Sequence, residues 1–119
     1  MIDRIENPGP GACESVLALV ERVDELLEVP LRIQNRVSLD IELGKVQAAF
    51  AEVRRADLGE LDSQLEDPLQ RLGYRLIDLE IAVEDFRTNR RIRDAAAHVE
   101  TDASAMDDAV AGFAILARC

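Results

Sequence analysis

The chain is expected to be all-α, a single-domain antiparallel bundle of four to five helices, and three observations lead to that class. Apolar residues make up 48% of the sequence but aromatic ones only 3%, so the core must be built from Leu, Val, Ile and Ala, a composition that suits packed helices. Leu69, Leu72, Leu76, Leu79, Val83 and Phe86 alternate steps of three and four, the spacing of residues on one face of a helix. The total of 119 residues is enough for one core but not for two.

In chain order, residues 1–12 contain Pro8-Gly9-Pro10-Gly11, a breaker cluster expected to form a flexible lead-in to a bundle spanning 13–119. Neither this cluster nor Gly44-Lys45 has the spacing of a phosphate loop. From Cys13 to Val29, Val16, Val20, Val23 and Leu27 recur on one face, with Leu19 and Leu26 beside them. Glu21, Asp24, Glu25 and Glu28 fill the other face, so an amphipathic helix is expected, ended near Pro30. Between Leu31 and Leu43 the apolar residues fall at odd positions, which admits a short hairpin. Against it, Leu39, Leu43, Val46, Phe50 and Val53 keep a helical repeat, and a helix is expected from about Ser38 to Ala56. Gly59 marks its end and 57–67 an acidic connection. Asp67-Pro68 has the form of a helix start, and the helix from Pro68 to about Arg87 should be central, because Ile77 and Ile81 widen its stripe. Gly73 and Tyr74 are candidates for a close helix contact, although a tyrosine in such a place is most often a rim residue. The repeat slips at 88–91. Asn89 is a candidate cap for a short fourth helix to Glu100, and Thr101 or Asp102 for a fifth, burying Met106, Val110, Phe113 and Leu116.

The formal net charge of −10 argues against duplex DNA and anionic membrane surfaces as partners. Basic protein surfaces remain suitable. Cys13 and Cys119 lie near opposite ends, which is neither a disulfide framework nor a metal-ligand spacing, and free thiols are expected. No leader and no apolar run long enough to span a bilayer stands out, so a cytoplasmic protein without cofactor or metal is expected. The acidic pairs Glu21/Glu25 and Glu80/Glu84 have a spacing seen in metal sites, but carboxylates so spaced are ordinarily solvated.

Chemistry is concentrated in residues 88–102, TNRRIRDAAAHVETD, which hold the single histidine and the densest group of arginines. On a helix Asp94 and Asp102 stand one turn either side of His98, where carboxylates favour the imidazolium. Arg87, Arg90, Arg91 and Arg93 form a local positive field, and guanidinium forks match phosphate oxygens. Such a set is sufficient for cutting RNA through its own 2′-hydroxyl. Arg93-Asp94-Ala95-Ala96-Ala97-His98 resembles the Arg-polar-x-x-x-His motif of the HEPN superfamily of helical domains found in toxin–antitoxin pairs, phage defence and CRISPR effectors. The resemblance implies a homodimeric, metal-independent ribonuclease. Arg93 and His98 would be catalytic, Asp94 would orient them, and Arg87, Arg90 and Arg91 would hold phosphate. Glu100 stands where the toxin branch of the family often has a tyrosine.

The leading expectation is instead a module without chemistry: a small acidic bundle acting through protein–protein contacts, as a homodimer or on a larger partner. Accessory subunits, inhibitors, antitoxins and defence-system components are built this way. A third reading comes from His98-Val99-Glu100-Thr101-Asp102, which resembles the Tyr-x-x-x-Asp export signal of small helical proteins secreted by type VII systems, with histidine in the tyrosine slot. The Trp-x-Gly turn of those proteins is missing, since the chain has no tryptophan.

Overall fold

The computed structural model describes residues 10–56 and 62–119 and contains four α-helices. These are α1 (Pro10–Leu27), α2 (Arg36–Arg55), α3 (Asp62–Thr88) and α4 (Ile92–Leu116), with a 3-10 turn at Ile33–Asn35 ahead of α2. No strand occurs among the described residues, so the fold is the all-α bundle the periodicity predicts. Around the bundle, α1 packs between α2 and α4, and α3 packs between the same two helices on the opposite side. The short axes measure 21 and 18 Å, about two helices wide in each direction at interaxial distances of roughly 8–10 Å.

Helix α1 begins at Pro10, three residues before the expected start; the remainder of the expected lead-in lies outside the described residues. Its buried face is Val16, Leu19, Val23 and Leu26, with Val20 half-buried and Leu27 turned outward. Asn35 holds the link to α2 by donating from Nδ2 to the Pro30 carbonyl at 2.9 Å.

The hairpin considered for 31–43 is absent. Two residues on a helix are about 200° apart, so the odd-numbered apolar residues there belong to opposite faces. Leu39 and Leu43 enter the core, while Ile33, Val37 and Ile41 form a separate exposed row. The apparent strand alternation is two helical rows superposed.

Helix α3 starts at Asp62, not at Pro68, which lies inside it. Buried Leu65 extends the apolar ridge by one further step and offsets the hydrogen bond that a proline cannot donate. Gly59 and the rest of 57–61 lie outside the described residues. Along the ridge Leu72, Leu76, Leu79, Val83 and Phe86 are buried and Leu69 is partly so. Ile77 and Ile81 do not widen it; they are 49% and 64% exposed.

The expected fourth and fifth helices are one. Ala95, Val99, Ala103, Met106, Val110 and Phe113 form an unbroken buried row along α4, with Thr101 and Asp102 mid-helix and Leu116 exposed. At the α3–α4 turn Asn89 Oδ1 accepts the Arg91 N–H at 2.8 Å, and Asn89 Nδ2 donates to Asp85 at 3.1 Å.

The free thiols expected from sequence are not found: Cys13 and Cys119 form a disulfide, their Cα atoms 5.4 Å apart. The end of α4 makes this possible. Arg118 adopts a left-handed φ of 60°, the Cys119 N–H donates to Ala114 O at 2.9 Å, and the Arg118 N–H donates to Ile115 O at 3.0 Å. That pair of bonds is a Schellman turn, and it reverses the chain so that Cys119 meets the first turns of α1.

Candidate functional site

Two regions compete as functional sites: the Arg-His stretch at the start of α4, and the seam between α2 and α3. In the first, Arg93, Asp94 and His98 are all exposed on α4. Arg93 and His98 are five positions apart, hence roughly 140° around the helix, and one chain does not present them on a common face. His98 instead lines a shallow recess with Asp78, Ile81, Ala82 and Asp85 of α3 and Asp102 of its own helix. Three carboxylates around the imidazole make the recess unfavourable for a phosphate group. No group of three potential ligands suited to a metal ion occurs among the described residues.

The arginines gather at one end of the bundle. Arg87 is within 3.8 Å of Glu84 and 3.9 Å of Asp40, both exposed pairs. Arg90, Arg91 and Arg93 are exposed and make no ion pair with a described residue. Arg36, at the start of α2, belongs to the same end, since its Nη2 donates to the Asn89 carbonyl at 3.2 Å and its guanidinium lies 5.7 Å from the Phe86 ring centre.

The second region was not singled out by sequence reasoning. Of the neighbouring helix pairs, α2 and α3 approach least closely along their length, and a groove of about 690 Å3 runs between them. Its floor is apolar, with Phe50 and Ala51 from α2 and Leu69, Gly73, Leu76 and Ile77 from α3. Gly73 faces the Phe50 ring: a Cβ there would stand 3.4 Å from Phe50 Cζ. Tyr74, exposed as expected for a rim residue, borders the groove together with Gln47, Arg54, Glu66, Gln70 and Glu80. Polar contacts cross the seam without closing it: Gln47 donates to Glu80, and Arg87 faces Asp40.

No family model, curated protein or solved structure matches the chain.

One signal for the seam was present in the sequence. Tyr74 and Ile77, three residues apart, stand on the side of α3 away from Leu79 and line the groove, and the row continues four residues on to Ile81 in the His98 recess. Such a second apolar row points away from the core. Among titrating groups, Asp107 on α4 stands out. A hydrogen bond shared with the Asp24 side chain of α1, then partial burial and the nearby charges of Asp24 and Asp108, raise its pKa above the ordinary carboxylate value.

Proposed function

We propose that the chain is an interaction module that works through protein–protein contacts, with the α2–α3 groove as its docking face. The apolar floor of that groove, between the two neighbouring helices that pack least closely, is the observation that supports this reading; a concave apolar strip between helices suits the apolar face of a partner helix. The occupant that fits is an amphipathic helix with basic flanks, supplied by a larger protein. Glu66 and Glu80 on the rim, and a net charge of −10 over the whole chain, attract such a helix. The same charge opposes a second copy of this chain. Accessory subunit, inhibitor, antitoxin and defence-system component are all consistent with this mode of action.

A titration of the labelled chain with two synthetic helical peptides, one patterned Leu/Lys and one Leu/Glu, tests it by NMR. Saturable binding of the Lys peptide, with shifts at Phe50, Gly73 and Ile77 and loss of binding in Ile77→Glu, is expected. Equal binding of both peptides, or binding indifferent to Ile77→Glu, would overturn it. Concentration-dependent dimerisation abolished by Ile77→Glu would assign the face to a second copy instead.

The HEPN-type ribonuclease remains the enzymatic alternative, resting on Arg93, Asp94 and His98. RNA cleavage by the wild type that is lost in His98→Ala would establish it; under the interaction reading neither protein cleaves. The disulfide favours a further reading, an exported helical protein of the type VII kind, because such bonds persist mainly in oxidising compartments. Thiol alkylation of protein recovered from its native cells discriminates: protected cysteines agree with export, whereas labelling of both agrees with the cytoplasmic expectation.

A further inference from the structure

We infer that the arginine-rich end of the bundle is a binding site for a compact phosphoryl anion, of the di- or triphosphate class. From Phe86 to Arg93 the chain carries Arg87, Arg90, Arg91 and Arg93 and no acidic residue, and the Arg36–Asn89 hydrogen bond adds a fifth guanidinium to the same end. Arg90, Arg91 and Arg93 lack an ion-pair partner among the described residues although acids outnumber cations 24 to 14 in the sequence. Carboxylates abundant enough to neutralise them are placed elsewhere, so the positive field at this end is left for something outside the chain.

Backbone groups point the same way. Helix α4 starts here with no side-chain cap from Arg91. The Ala95 N–H is taken by the Arg91 carbonyl and the Arg91 N–H by Asn89, which leaves the amides of Ile92, Arg93 and Asp94 as the unpaired donors of the first turn. Guanidinium forks beside such donors suit phosphate oxygens. The charges that oppose binding are Asp94 in the same turn, Asp85 beneath Asn89, and Asp40 and Glu84 beside Arg87. They, and the acidic remainder of the bundle, set the size of the ligand. A long polyanion laid along the helices meets repulsion over most of its length, whereas a short one touches only the arginine end, and charges beyond a Debye length of about 8 Å are largely screened at physiological salt.

The probes are inorganic tripolyphosphate and ATP, titrated into the full chain by calorimetry at about 0.15 M salt, with amide shifts followed by NMR. Saturable one-to-one binding is expected, with shifts confined to residues 86–95 and Arg36. The double variant Arg90→Ala/Arg91→Ala, at exposed positions that leave the core intact, should weaken it by about tenfold or more, while Arg71→Ala/Arg75→Ala leaves it unchanged. Equal affinity for the two probes identifies the phosphoryl chain alone as the ligand, and tighter ATP binding identifies a nucleotide. Absence of saturable binding, or equal weakening by both double variants, would overturn the site. None of these residues lines the α2–α3 groove, so the outcome is independent of the docking reading.

Discussion

The seam between α3 and α4 and the seam between α2 and α3 share one helix, yet the first is much more closely packed than the second. The buried residues of α3 and α4 include small ones: Ala82 on α3, and Ala95 and Ala103 on α4. Small side chains let two backbones approach, and the long apolar residues between them interlock. Along the α2–α3 groove Phe50 and Leu69 are bulky, Gln47 and Glu80 are polar, and Ala51 and Gly73 are the small residues. A bundle can therefore bury an apolar core and still expose an apolar strip where two of its helices stand further apart.

The sharpest way to break this comparison is within α3 itself. Leu79 is fully buried and Ile77, two residues earlier, is half-exposed. Leu79→Ala is expected to cost about 2–5 kcal/mol, and Ile77→Ala no more than about 0.5 kcal/mol, both read by denaturant unfolding. A similar loss for the two would mean that the groove is part of the core.

The disulfide comes next. It joins residues 106 apart in sequence, and restricting the unfolded chain over so long a loop stabilises by about 2–4 kcal/mol. Cys13→Ser/Cys119→Ser, or reduction of the wild type, should lower the unfolding midpoint accordingly, while the helical circular dichroism at room temperature persists. Collapse of the helical signal on reduction would show that the packed core alone does not hold α1 and α4 together.

Overpacking tests the role of the alanines. Ala103→Leu, at a buried position of α4, should destabilise by about 1–3 kcal/mol. At the open seam Gly73→Ala adds a methyl at ordinary contact distance from Phe50 and should be neutral or gain up to about 1 kcal/mol from helix propensity.

The smallest effect expected is electrostatic. Asp107 holds its proton more readily in the folded chain than in the unfolded one, so its ionisation near neutral pH works against folding, and that penalty is relieved as pH falls through the raised value. Asp107→Asn should therefore be slightly more stable than wild type at neutral pH, with the difference vanishing on acidification. A difference that grew as pH fell would reverse the sign assigned to the Asp24–Asp107 pair.

Much of the fold could be read from spacing. The ridge from Leu72 to Phe86, the inner rows of α1 and α2 and the break at Pro30 all declare themselves, because leucine and valine at three-and-four steps have few other ways to leave water. Helix α4 was harder: Ala95 and Ala103 occupy core positions but carry too little apolar surface to mark the row, so polar Thr101 and Asp102 suggested a boundary that does not exist. Of the candidate residues, the grouping of Arg87, Arg90, Arg91 and Arg93 was evident locally. Their union with Arg36, and the placing of Asp78 and Asp85 beside exposed His98, were not.

Periodicity by itself determined that this chain is a helical bundle and, for the central rows of α1, α2 and α3, which residues turn inward, since both follow from the geometry of a single helix and the cost of wetting its apolar row. Only the assembled bundle decided that Cys13 and Cys119 meet, that α2 and α3 pack least closely and that five arginines share an end. Each of these depends on distances between residues far apart in the chain, which are set by how closely neighbouring backbones can approach.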